Sequence, residues 1–195
     1  MTLTRPLQGA TIPSATLNQI VALLLGTAND TSVQCMQYIG SQTPSGAATV
    51  TFSSPPAFPF YLFYITARTS TAGSDQIFMV VNGAGGTAYN DNTCLSTSSA
   101  MTTGQSSGLV GFATGSDTAN CYGGTMLLLG GVNQTTLSPT WVSTSADYDS
   151  GTDIIDGTMG GIYTTAPASI TSLAFKLSSG GNFQAGSRLT MYGLV

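Results

Sequence analysis

Ile170-Thr171-Ser172-Leu173-Ala174-Phe175-Lys176-Leu177-Ser178 alternates strictly, with Leu173, Phe175 and Leu177 on one side and Ser172, Ala174 and Lys176 on the other. A period of two marks a β-strand with one buried and one wetter face; a helix would repeat its apolar residues every three or four positions. Similar short runs recur upstream and downstream, at Ala48–Ser53, Phe60–Arg68, Gln76–Asn82, Gly124–Gly130, Pro139–Ser143 and Ser187–Gly193. Clusters of Gly, Asn, Ser and Pro divide them, and no helical period is sustained after Val33. The pattern predicts an all-β fold over residues 33–195, an antiparallel, jelly-roll-like β-sandwich.

Two runs, Phe60-Tyr61-Leu62-Phe63-Tyr64-Ile65 and Leu127-Leu128-Leu129, are apolar on both faces. Such a strand lies between two layers, or between a sheet and a neighbouring subunit. Gly180-Gly181-Asn182 is expected to turn the last two strands into a hairpin, with Phe183 packed over it, because Gly and Asn tolerate positive φ. In the final strand, alternation places Leu189 and Met191 inward beside Leu173, Phe175 and Leu177. Tyr192 then falls on the opposite face, near a subunit or partner contact. Arg188 reads as a charge guarding an edge strand, or as a donor to a main-chain carbonyl or to an aspartate of the next subunit.

Residues 1–32 form a separate anchoring unit. Arg5-Pro6 and Ile12-Pro13 interrupt any period, so residues 1–13 read as an extended arm. Leu17, Ile20, Val21, Leu24 and Leu25 then share one face of a short α-helix, capped by Ser14 or Thr16 and stopped at Gly26. A helix of this length is marginal alone in water. It packs on its own sheet, in a three-helix bundle at an oligomer axis, or on a partner. Ile20–Leu25 is too short for a membrane span of ~20 residues, and its flanks do not fit a signal peptide.

Only 6% of the 195 residues are charged, against about 25% in ordinary globular domains. There is no histidine, no glutamate and one lysine, Lys176. Eight acidic residues outweigh Arg5, Arg68, Arg188 and Lys176 to give a net charge of −4. The chain therefore offers no basic surface for nucleic acid. Without histidine no Ser-His or Cys-His pair exists. Gly83-Ala84-Gly85-Gly86 lacks the Lys-Ser/Thr of a phosphate loop. The composition is that of a structural or recognition protein, not an enzyme, and it calls for no organic cofactor.

Three smaller features leave alternatives open. Asp147, Asp149 and Asp153 surround a turn glycine at positions 1, 3 and 7, oxygen ligands suited to Ca²⁺. The bidentate glutamate of an EF-hand is absent, and a solvated acidic turn is the commoner reading. Cys35, Cys94 and Cys121 are three buried apolar residues in a reducing compartment, or Cys94 and Cys121 form a disulfide. Trp141 belongs to the core, or joins Tyr148 and Tyr163 in an aromatic platform for a sugar ring.

Ile170–Val195, with its Ile-Thr-Ser strand, Gly-Asn182-Phe183 and final Gly186-Ser187-Arg188-Leu189-Thr190-Met191-Tyr192-Gly193, resembles the C-terminal strands of β-sandwich domains in tailed-bacteriophage virion proteins. Asn82-Gly83-Ala84-Gly85-Gly86-Thr87-Ala88-Tyr89-Asn90 is similar to another segment of the same family, with Ala84 where an aspartate is usual. Leu17-Asn18-Gln19-Ile20-Val21 resembles the short helix that precedes such domains. The resemblance covers about a third of the chain. It implies a homotrimeric capsid decoration or head-fibre protein, located in the virion after assembly in the host bacterial cytoplasm. Its partners would be itself and the major capsid protein or another virion protein, with no nucleic acid and no membrane. Arg5, Leu17, Ile20, Val21, Leu24, Leu25 and Tyr192 would make the anchoring and oligomer contacts. The alternative is a tail-associated fibre or receptor-binding domain that recognises a host surface glycan or protein.

Overall fold

The computed structural model describes residues 35–95, 99–117, 121–133, 137–149, 153–165 and 169–195. The expected arm and helix, with Arg5, Leu17, Ile20, Val21, Leu24 and Leu25, lie outside these residues. By its internal contacts the chain divides between Cys35 and Met36. The second unit is all-β: β1 (Met36–Gln42), β2 (Thr49–Ser53), β3 (Phe60–Ala67), β4 (Asp75–Val81), β5 (Tyr89–Leu95), β6 (Ser99–Gln105), β7 (Gly108–Ala113), β8 (Gly123–Gly130), β9 (Thr140–Asp149), β10 (Asp153–Tyr163), β11 (Ser172–Leu177) and β12 (Arg188–Leu194).

These strands form two antiparallel sheets, one of eight strands in the order β1-β12-β3-β8-β9-β10-β5-β6 and one of four in the order β2-β11-β4-β7. The alternating side chains read from the sequence meet between them. Tyr61, Phe63 and Ile65 of β3, Leu127 and Leu129 of β8, and Leu189 and Met191 of β12 face Ile77, Met79 and Val81 of β4 and Leu173, Phe175 and Leu177 of β11 in one buried core. Phe63 and Phe175 meet edge to face across the layers, ring centres 5.0 Å apart, a geometry that aromatic quadrupoles favour. Tyr192 points to the other side of its sheet, as the register requires.

The connection between β11 and β12 departs from expectation. The two strands do not form a hairpin; β11 pairs with β2 and β4, and β12 with β1 and β3 in the opposite sheet. Gly180 does adopt a left-handed turn, φ +75°. The chain then crosses the end of the sandwich, and Phe183, fully buried, bridges Ala47 and Thr69 instead of covering the turn. Asp75 secures this end. It accepts hydrogen bonds from Ser178 Oγ (2.7 Å), Ser179 N (3.2 Å), Ser179 Oγ and Thr69 Oγ1 (3.3 Å). Arg188 is not on an edge either, since β12 lies between β1 and β3; its Nε donates to Ser41 Oγ at 3.0 Å.

The edge strand of the small sheet, β7, is buried on both faces, because the large sheet curls past it. Leu109 and Phe112, on the far side of β7, form a second small core with Met159 of β10. The outer edge of β7 would leave main-chain groups unpaired in the interior, a costly arrangement. Side chains from the large sheet take them up. Asp91 Oδ2 accepts from Leu109 N at 3.0 Å, Ser145 Oγ accepts from Phe112 N at 3.0 Å, and Trp141 Nε1 donates to Leu109 O at 3.1 Å. The approach is so close that a Cβ on Gly111 would lie 2.1 Å from Thr125 Oγ1. Trp141 is thus a buried anchor, as is Tyr163, and no aromatic sugar platform forms around them. Cys35 and Cys94 are exposed and Cys121 half-buried, all three with free thiols, so the expected burial fails at the first two and the Cys94–Cys121 disulfide is not formed.

Candidate functional site

The outward face of the eight-stranded sheet explains the two runs that are apolar on both sides. Pairing aligns side chains into rows across the strands. One row is Tyr38–Tyr192–Leu62–Leu128–Val142, running from β1 through β12, β3 and β8 to β9. On one side lies Met36–Leu194–Phe60–Gly130, and on the other Ser41–Thr190–Tyr64–Met126–Thr144. Phe60 lies over Gly130, its ring carbons 2.9 Å from where a Cβ would sit, so the glycine makes room for an aromatic ring on the outside. Tyr192 is the hub of a tyrosine cluster, edge to face with Tyr38 at 5.8 Å and with Tyr64 at 6.0 Å.

These residues are open to solvent: Tyr38 is 56% exposed, Val142 49%, Tyr64 47%, Met126 45% and Phe60 44%. The surface is also relieved. Shallow depressions of about 400, 340 and 160 Å³ flank Tyr64, Tyr192 and Met126. Arg188, at one margin, is the only charged side chain among the residues of these rows and depressions. A soluble monomer rarely shows an uninterrupted apolar patch beyond a few hundred Å², and larger ones mark places where something binds.

The acidic segment is not a loop throughout. Asp147 and Asp149 lie on β9 and Asp153 and Asp156 on β10, with Asp149 and Asp153 opposite each other where the hairpin closes. Asp147 faces inward, 5% exposed, and Ser74 Oγ donates to its Oδ2. Its Cα pairs with that of Ile155, not with another aspartate. Among the described residues no three Asp, Glu, His or Cys side chains converge on a common point that would hold a metal ion.

Sequence reasoning reached Tyr192 and the doubly apolar strands but not Tyr38, Phe60, Tyr64, Met126 and Val142 as one surface. The signal was present in the doubled apolar pattern of β3 and β8; what was missing was the register that sets β1 and β12 beside them. Comparison of the chain with protein-family models, with curated proteins and with solved structures finds no match.

Proposed function

We propose that this protein is a non-catalytic structural component of a bacteriophage particle, a homotrimer in which the apolar face of the large sheet packs against further copies of the same chain. In this proposal the sandwich is jelly-roll-like, and residues 1–32 supply the arm and helix that anchor it to the major capsid protein or another virion protein. The exposed, nearly uncharged face around Tyr64 and Tyr192 is the observation that carries the proposal. Five strands about 4.8 Å apart and three rows along them span on the order of 400 Å². That is about half of the ~800 Å² that each partner contributes to a standard interface. At ~25 cal/mol per Å² the patch contributes at most about 10 kcal/mol, within the ~4–15 kcal/mol that association costs in lost freedom. Stable assembly then follows from covering more than one such face, which a closed ring of copies achieves.

An apolar surface of a further copy of the chain fits better than a charged partner. The rows offer no charge to pair, and interfaces between identical subunits are more apolar than those of transient complexes. The phage setting rests on the resemblance of Ile170–Val195 and Asn82–Asn90 to virion sandwich domains. Sedimentation of the purified chain tests the assembly. The expected mass is about three times the 19.9 kDa of one chain, and Tyr64→Lys with Met126→Lys is expected to release folded monomers. A wild-type protein that stays monomeric at micromolar concentration would refute the proposal. Quantitative gel densitometry of virions tests the setting: a decoration protein is present in hundreds of copies per particle, a tail-tip protein in a handful.

A further inference from the structure

At the far end of the large sheet from the tyrosine cluster, its curl borders a second feature. At its Tyr89 end the inward side of the β5–β6 hairpin joins the main core, but beyond that residue it does not. It faces the outer side of β4 and β7, and a cavity of about 330 Å³ remains between them. That volume lies at the small end of the range for ligand pockets, about 300–1,000 Å³. Its wall is unusual for a structural gap. Gln76, Asp91, Thr93, Thr102 and Gln105 bring polar groups from three strands, while Phe78 on β4 supplies an aromatic surface.

Asp91 is the informative member. It is 4% exposed, and its Oδ2 is committed to the amide of Leu109 on β7. Its other oxygen, Oδ1, is buried without a hydrogen-bond partner among the described residues. A buried acceptor left unpaired costs about 1–3 kcal/mol, so such groups are rare and ask for an explanation. Burial raises the pKa of this carboxyl above its ordinary value, although the bond from Leu109 N works the other way.

The chemistry of the wall narrows the occupant. No lysine or arginine lines the cavity, so an anion finds no counter-charge. Asp91 is its single acid and stands where ionisation is disfavoured, which suits a hydroxyl donor better than an ammonium ion. A purely apolar ligand would cover the half-buried Gln76 and Thr93 and the buried Asp91 without bonding them. Threonine hydroxyls and glutamine amides each offer both donors and acceptors, the mixture that a ring of hydroxyl groups requires.

We propose that this cavity is a binding site for one pyranose ring of a glycan, with hydroxyls held by Asp91, Thr93, Thr102 and the Gln76 and Gln105 amides, and a C–H face set on Phe78. The site does not involve the assembly face and stands or falls apart from it.

Saturation-transfer NMR on the full chain tests it, with methyl α-D-glucopyranoside, methyl α-D-galactopyranoside and methyl N-acetyl-β-D-glucosaminide as probes, each titrated to about 50 mM, well past a millimolar Kd. At least one glycoside is expected to bind saturably. Gln105→Ala, and Ala100→Trp, which plugs the cavity from an exposed position on β6, are each expected to weaken binding about tenfold or more, the equivalent of ~1.4 kcal/mol. Sedimentation of both variants should match the wild type. The proposal is overturned if none of the three glycosides binds, in which case the cavity holds water alone. It is equally overturned if binding persists unchanged in both variants, which would place the sugar elsewhere.

Discussion

Gly111→Ala is the most direct test of how β7 sits inside the curled sheet. The added methyl would lie 2.1 Å from Thr125 Oγ1, 2.8 Å from its Cγ2 and 3.0 Å from its Cβ, against an optimal carbon contact of ~3.5–4.0 Å. Rotating Thr125 exchanges the first two atoms and leaves the third in place. It also breaks the 2.7 Å bond between Thr125 Oγ1 and Ser145 Oγ, the group that holds Phe112 N. The strand must therefore back away, which strains its bonds to Ser145, Trp141 and Asp91 together. Overpacking of this kind costs ~1–3 kcal/mol, and an unmade buried hydrogen bond about as much again. The expected loss is on the order of 3–5 kcal/mol, or roughly 6–20 °C in Tm for a chain of this size. Urea and thermal unfolding followed by the fluorescence of Trp141 and by far-UV circular dichroism would measure it. In the double variant with Thr125→Ala, two of the three clashing atoms are gone, so the two substitutions should couple favourably by ~1–2 kcal/mol. A Gly111→Ala protein within ~0.5 kcal/mol of wild type, or strict additivity in the cycle, would show that β7 does not lie edge-on against Thr125.

Leu189→Ala, at a fully buried site, is expected to cost ~2–5 kcal/mol in chemical unfolding, whereas Tyr192→Ala should shift sedimentation more than Tm; the reverse outcome would mean the β12 register is off by one residue. Trp141→Phe leaves Leu109 O without its 3.1 Å donor and should destabilise by at least ~1–3 kcal/mol, visible as a lower urea midpoint. Burial pushes the Asp75 carboxyl up, but the bonds from Ser179, Ser178 and Thr69 outweigh it and hold it below its ordinary 3.8; the stability it contributes is complete above pH ~4 and lost as the pH falls through the folded-state value. Asp75→Asn should therefore lower stability at neutral pH and flatten the acid limb of a pH titration of unfolding. Asp91 has the opposite sign: its raised value favours the folded state when protonated, so stability falls as pH rises from 3.8 through the folded-state value. Asp91→Asn should remove that decline, and an unchanged profile would count against it.

Where side chains alternate without interruption, sequence and structure agree. Leu173, Phe175 and Leu177 face Leu189 and Met191 across the core, and the seven runs expected as strands are strands. The strands that escaped notice did so for two physical reasons. β10, Asp153–Tyr163, carries Gly157, Gly160 and Gly161 and so resembles a string of turns; yet Gly161 is where the Trp141 ring lies, 2.3 Å from a would-be Cβ. In β7 the glycines serve a neighbouring strand that approaches too closely for a side chain, information that exists only in the folded molecule. β5 and β6 are rich in Asn, Asp, Ser and Thr because one side borders a polar cavity and the other is largely solvated, so no apolar alternation survives. The exchange of sheets between β11 and β12 was hidden for another reason: a glycine turn fits a hairpin and a crossover equally well, and only Phe183, drawn into the core, decides between them.

The position of β12 between β1 and β3 also sets a timetable for synthesis. Thr66 and Arg188 face each other in the finished sheet but are 122 residues apart in the chain. At about 5–20 residues per second, a ribosome needs roughly 6–24 s to make the second after the first. Through that interval β3, apolar on both faces, has β8 as a neighbour for only part of the time and keeps its other edge open throughout. Among the described strands β1 pairs with β12 alone, so there it has no partner until the last of them is made. Every nascent copy thus presents the same unpaired edge to every other copy on the same message. In the proposed assembly each chain meets its copies first in this unfinished form, and its yield in the cell would then depend on how fast β12 closes the gap.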